Sequence, residues 1–153
     1  MSVDVKQVSM EGVQIGFRNF SGVEGQYNKA GDRNFVVFLD KETADKMSAD
    51  GWNVKYPKDR DDIDPEEDER NPYLPVSVGF GAYPPKIVLI NGGKATKLDE
   101  ESVDMLDWAE IKDVDLIVRP YNWTVNGQSG VKAYLKAIYV TINEDEFAEK
   151  YGI

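Results

Sequence analysis

Residues 115–142, DLIVRPYNWTVNGQSGVKAYLKAIYVTI, read as one long β-hairpin. Strand side chains alternate between the two faces of a sheet. On the first arm Arg119, Tyr121 and Trp123 therefore share a face, with Val118 and Pro120 on the other. On the second arm Lys132, Tyr134 and Lys136 lie together, opposite Val131, Ala133, Leu135 and Ala137. Residues 125–130 join the arms, and the Asn126-Gly127 pair tolerates the positive φ angles of a tight hairpin turn. With the small apolar face on the core, the other face carries three cations and three rings. Lys and Arg are seldom buried without a partner, so rings beside them are expected near solvent. Interleaved rings and cations can stack unpaired bases and neutralise their phosphates. Aromatic residues also populate strands for packing reasons alone, and the pattern leaves both roles open.

The chain has 153 residues, which fits one domain able to bury about two-thirds of its extended surface. It contains no cysteine, which excludes disulfides, thiolate zinc sites and thiol nucleophiles. It contains no histidine, which removes the Ser-His and Cys-His arrangements and the commonest transition-metal ligand. The start MSVDVKQVSM lacks an apolar signal core, and no apolar run approaches the roughly 18 residues of a membrane span. The expectation is a soluble, cytoplasmic protein with no membrane partner.

A net charge of −10 sits badly with a nucleic-acid binder, but the charge is unevenly distributed. Residues 57–71, PKDRDDIDPEEDERN, hold eight acids against three bases. Residues 143–153 hold four acids against one lysine. The rest of the chain carries only −2, so a local basic groove is compatible with the acidic total. The expected organisation is one domain over residues 1–142 with an acidic loop at 57–71, followed by a short acidic tail at 143–153.

Residues 10–20 alternate Val13, Ile15 and Phe17 against Gln14, Gly16 and Arg18, which predicts a first long strand. Residues 21–33 read as a polar, Gly-rich loop and 34–39 as a short apolar strand. Residues 40–49 predict a helix capped by Asp40 and ended by Gly51. Residues 52–56 read as a short strand ahead of the acidic loop. Within that loop Asp59, Asp61, Asp62 and Asp64 lack the glycine and final glutamate of a helix-loop-helix calcium site. Its charge-dense, two-proline composition predicts a solvated insertion. Strands are expected at 72–80 and 86–90, about a Pro-Pro turn. Gly92-Gly93-Lys94 suggests a phosphate loop, but Val88 occupies the place of its first glycine, so a turn over 91–97 is the reading. Lys94 and Lys97 at its edge could meet phosphates. Residues 98–108 predict a short helix with Asp99 as N-cap, and 144–151 a final helical turn.

Many strands with few helices suggest a mainly β protein, a small Greek-key barrel with short helical inserts and the long hairpin. A five-stranded, partly open oligonucleotide-binding (OB) barrel accommodates the count.

The chain resembles the bacteriophage single-stranded DNA-binding proteins of the OB fold. The resemblance rests on Val118-Arg119-Pro120-Tyr121-Asn122-Trp123 and the returning Gly130-Val131-Lys132-Ala133-Tyr134-Leu135. It covers about thirty residues well and the remainder by strand order and an acidic end. It implies sequence-tolerant binding of unpaired DNA in replication, recombination or repair, in the infected bacterial cell, without catalysis or a cofactor. Arg119, Tyr121, Trp123, Lys132, Tyr134 and Lys136 are the expected DNA-binding residues. Arg18 and Phe20 on the first strand, with Lys29 and Arg33 in the next loop, extend the candidate groove. Single-stranded DNA is the implied partner, with phage or host replication proteins at the acidic tail and self-association left open. The tail departs from the pattern, being short and ending Lys150-Tyr151-Gly152-Ile153. The acidic loop is also foreign to the family, and either acidic segment could occupy the groove when DNA is absent.

Two rivals remain at this stage. One is an acidic protein-binding or DNA-mimic module on the same β scaffold, and another is a phage assembly protein of the sandwich kind. Acid pairs such as Asp104 with Asp107, or Asp113 with Asp115, invite an enzyme reading. Helix caps and strand ends are the plainer account of those spacings, and no metal ligand set is expected.

Overall fold

The computed structural model describes residues 6–26, 28–58, 61–64 and 70–142. The chain runs β1 (Val8–Met10), β2 (Gln14–Asn19), β3 (Arg33–Phe38), α1 (Lys41–Ala49), β4 (Tyr73–Val78), β5 (Lys86–Asn91) and β6 (Lys94–Leu98). A 3-10 helix (Val103–Asp107) then precedes β7 (Ile111–Val125) and β8 (Gln128–Ile142).

The hairpin β7–β8 is the backbone of the molecule. Each arm has 15 residues, and the ladder runs from Ile111↔Ile142 to Val125↔Gln128. The turn is Asn126-Gly127 with φ of 52° and 79°, the double left-handed geometry whose twist matches the flanking strands. One edge of β8 serves β7 along its length. Its other edge pairs in parallel with β4 at Val76↔Ala133 and Ser77↔Tyr134, and with β5 from Lys86↔Ala137 to Ile90↔Thr141. β2, β3 and β4 form an antiparallel meander beyond β4.

The order β1-β7-β8-β4-β3-β2 makes an open mixed sheet, with β5 and β6 branching from β8. The strand content, helical inserts and hairpin match the expected class, and the arrangement is consistent with an OB-like fold. The barrel itself is not closed by a ladder. Instead its two end strands are consecutive in sequence. The chain bends at Gly12 (φ 61°), whose N–H donates to the Asp115 carboxylate at 2.8 Å, while Val13 N–H donates to Val114 O at 3.0 Å. The single long strand expected over 10–20 is thus two, one pairing with β7 and the other with β3.

Between the curved faces lies an apolar core that includes Phe20, Phe35, Leu74, Val76, Leu116, Val118, Leu135 and Ile138. Full burial of such side chains is worth about 1.5–3 kcal/mol each.

α1 starts as expected. Asp40 accepts the Thr43 N–H at 2.7 Å, and this bond holds its carboxyl below the usual carboxylate range. It ends when Gly51 takes φ 98°, so that Gly51 N–H reaches Ser48 O and Trp52 N–H reaches Met47 O, both at 3.0 Å. Ala44 and Met47 face the core.

Three local expectations are corrected. Residues 52–56 form isolated bridges, Trp52 to Val131 and Lys55 to Tyr73, and no strand. Residues 91–97 are not merely a turn, because β6 returns from Gly92-Gly93 to pair with β5. The helix expected over 98–108 shrinks to a 3-10 turn, because Asp99 spends its carboxylate on Glu101 N–H, Ser102 N–H and the Ser102 hydroxyl. The final helical turn and acidic tail lie outside the described residues, as does part of the acidic loop.

Candidate nucleic-acid interface

Leaving the core, β8 alternates as the sequence implies. Val131, Ala133 and Leu135 are buried, Lys132 and Lys136 are exposed, and Tyr134 is half-buried. β7 alternates without a break, with Val114, Leu116 and Val118 inside and Arg119 and Tyr121 outward, while the register shift at Ile117/Val118 leaves Lys136 as an extra residue on β8. Arg119 pairs with Tyr134, Tyr121 with Lys132 and Trp123 with Gly130. Directly opposed residues in a ladder are close enough for their side chains to interact.

Tyr134 is the hub of the resulting cluster. The Arg119 guanidinium and the Lys132 ammonium each stand 5.1 Å from its ring centroid. The Tyr121 ring meets it edge-on at 5.8 Å and 79°. Arg119 also lies 6.0 Å from the ring of Tyr83, which is 78% exposed in the loop before β5. Each cation–ring contact at an exposed site is worth about 0.5–1 kcal/mol. Trp123 lies over its partner Gly130, where an added Cβ would meet Cζ2 of the indole at 2.7 Å. Lys136 donates to the Gln7 side chain at 2.7 Å.

Lys132 and Tyr134 also form one wall of an open cleft of about 980 Å³ that crosses the β4–β8 seam onto β3. Its far side carries Phe17, Arg33, Phe80 and the 28–32 loop. Arg33 is fastened there, with Nε donating to Phe20 O at 2.9 Å, Nη1 paired with Glu100 at 3.0 Å, and its guanidinium 5.1 Å from the Phe80 ring. Lys29 is exposed beside the cleft, on a loop closed by Asp32 N–H donating to Lys29 O.

Two members of the expected groove are tied into the fold. Phe20 is 0% exposed and stacks on Phe35 at 5.0 Å, which makes it a core residue. Arg18 donates from Nη1 to Leu106 O and Ala109 O, both at 2.8 Å, and so ties β2 to the 3-10 helix. One acid of each pair considered for catalysis is committed as well. Asp107 accepts from Phe20 N–H and from the backbone and hydroxyl of Ser21, while Asp115 holds Gly12. Among the described residues no group of three or more acids could hold a metal ion. No helix among them is long and apolar enough to cross a membrane.

The alternation of residues 10–20 hides one residue that the structure exposes. The ladder between β2 and β3 slips between Gly16 and Asn19, and Phe17 takes φ 45°. A left-handed bulky residue costs on the order of 1–3 kcal/mol. The slip turns Phe17 out to 71% exposure, within 6.3 Å of Phe38 and 6.0 Å of Tyr73. The adjoining glycine is the signal for this in the sequence. Gly16 has no room for a Cβ, which would lie 2.6 Å from the Phe38 ring.

A family model described as "putative phage ssDNA-binding domain" matches residues 1–153. No curated protein matches the chain by sequence. Among solved structures, the single-stranded DNA-binding protein from bacteriophage Enc34 in complex with ssDNA has a TM-score of 0.57 at 10% identity, covering 93% of this chain and 89% of that one. The C-terminally truncated form of the same phage protein has a TM-score of 0.56 at 11% identity, with 92% and 87% covered. At such identities the likeness is one of fold.

Proposed function

The chain belongs to the phage ssDNA-binding domain family, and from that premise we propose that it binds single-stranded DNA across the outer face of the β7–β8 hairpin. The cation–ring cluster centred on Tyr134, opening onto the cleft, is the observation that carries this reading. Tyr121, Trp123 and Tyr134 supply stacking faces. Arg119, Lys132 and Lys136 supply positive charge along the same stretch, and Lys29 and Arg33 border the cleft's far side. Every base has a π-face, so recognition by stacking tolerates any sequence. A relative of similar fold has been seen with ssDNA, which supports the ligand class.

The role that follows is sequestration of unpaired DNA during phage replication and recombination in the cytoplasm of the infected cell. It requires neither catalysis nor a cofactor. The acids of residues 143–153 would serve replication proteins of phage or host as a contact outside the domain at 1–142.

Stacking contributes about 1–3 kcal/mol per base. For single strands, log affinity falls with log salt with a slope near −0.7 per neutralised phosphate. Three phosphates met by Arg119, Lys132 and Lys136 give a slope of about −2, so a fourfold rise in salt weakens binding about twentyfold. The test is titration with poly-dT at low salt, following tryptophan emission, with duplex of equal length as control. Quenching by the single strand alone is expected, whereas no quenching, or equal affinity for duplex, would defeat the proposal.

A further inference from the structure

Phe17 is a wall shared by two clefts. On one side lies the cleft leading to Lys132 and Tyr134. On the other is a second open pocket of about 820 Å³, bordered by Phe38, Tyr73, Tyr56, Lys55 and Lys58. We propose that this second pocket is a base-binding subsite, reached by a DNA strand that passes from the hairpin cleft over the exposed ring of Phe17. The inference rests on the single-stranded DNA reading and names a further part of that site.

Three observations converge on it. The chemistry is that of the hairpin face, rings with cations at their edge. Phe17, Phe38 and Tyr73 form a mutual cluster with centroids 6.0–6.4 Å apart, and Lys55 and Lys58 are exposed beside it. The pocket also adjoins the first cleft, because Phe17 lines both. Finally, Phe17 holds a left-handed backbone and an outward ring at once. Core packing explains neither, since an inward ring on regular backbone would bury more apolar surface, whereas a ligand-facing ring explains both.

The pocket has a defined frame. Arg70 donates to Lys58 O at 2.6 Å, and the Tyr56 hydroxyl donates to Asp45 at 2.8 Å. Lys55 exchanges backbone hydrogen bonds with Tyr73, so its side chain springs from a fixed point. The ammonium groups of Lys55 and Lys58 suit the phosphates of a strand whose bases lie on the rings.

The experiment measures affinity for oligo-dT of increasing length, from about 4 to about 16 nucleotides, the range of footprints for one such fold. It compares the wild-type protein with the double variant Lys55→Ala/Lys58→Ala and with Phe17→Asn. Asn accepts the left-handed backbone, so the second variant removes the ring without adding strain. The Lys55→Ala/Lys58→Ala variant is expected to bind the shortest strand like the wild type. On the longest strand, Phe17→Asn is expected to weaken binding about tenfold. The double variant is expected to flatten the salt slope by about 1.4, two phosphates at 0.7 each. Wild-type affinity and slope on the longest strand in both variants would overturn the subsite, as would equal losses by the double variant at every length. Failure of the wild-type protein to bind any length would instead overturn the single-stranded DNA reading, and this inference with it.

Discussion

Arg119 and Tyr134 face each other across the β7–β8 ladder, the guanidinium 5.1 Å from the ring centroid, so that one pair places a charge beside an aromatic ring on the outer face. Tyr134→Ala is expected to weaken ssDNA binding about tenfold to a hundredfold, and Tyr134→Phe to leave it nearly intact. Arg119→Ala should make the salt slope shallower by about 0.7, a change that loss of stacking does not produce. Fluorescence titrations at three salt concentrations separate the two effects.

Gly130 and Trp123 give a second, more local expectation. Any Cβ at position 130 strikes the indole, so Gly130→Ala must push the ring off the strand. The variant is expected to lose about 1–3 kcal/mol in urea unfolding, the usual cost of overpacking, and to show altered tryptophan emission in the folded state. Unchanged stability and emission would mean that the indole does not lie over Gly130.

Phe20 and Phe17 lie three residues apart and are expected to behave oppositely. Phe20→Ala empties a fully buried site against Phe35 and should cost about 3–5 kcal/mol of stability. The protein that remains folded should bind short oligo-dT unchanged. Urea melts and titrations on one preparation test both halves.

Asp40 and Asp99 give a pH dependence. Hydrogen bonds from Thr43 lower the Asp40 carboxyl, and those from Ser102, led by its side chain, lower that of Asp99. A carboxyl lowered in the folded state binds its proton less readily there than in the unfolded chain. Its stabilising effect is therefore full above the unfolded value near 4 and fades as pH falls through the lowered one. The stability gap between wild type and Asp40→Ala, read from urea melts, should narrow steadily below about pH 4. A gap that stays constant or widens would mean that the cap does not depend on charge.

The hairpin was legible because a period of two runs from Val131 to Ala137 on β8 and its turn carries Asn126-Gly127. The same rule failed on residues 10–20 for a physical reason. A one-residue slip exchanges the two faces of a strand, so the ladder shift after Gly16 sends Phe17 outward and Phe20 inward. Alternation alone placed Phe20 with Arg18 in the groove and overlooked Phe17. β6 escaped notice because its sequence, KATKL, buries only Leu98 and pairs with β5 alone. Arg18 and Arg33 looked like groove cations, yet the partners that immobilise them are carbonyls and a carboxylate from distant segments, which no local pattern reveals.

The parallel join between β4 and β8 spans only two residue pairs, yet it is where the meander meets the hairpin. So narrow a hinge line should breathe more readily than the long ladders on either side. On the proposed reading, a polynucleotide in the cleft would touch both banks, from Ser77 to Tyr134, and act as a splint across it. Amide exchange near residues 76–77 and 133–134 should therefore slow on adding oligo-dT by more than contact shielding elsewhere, with DNA completing mechanically a wall that the polypeptide leaves loosely sewn.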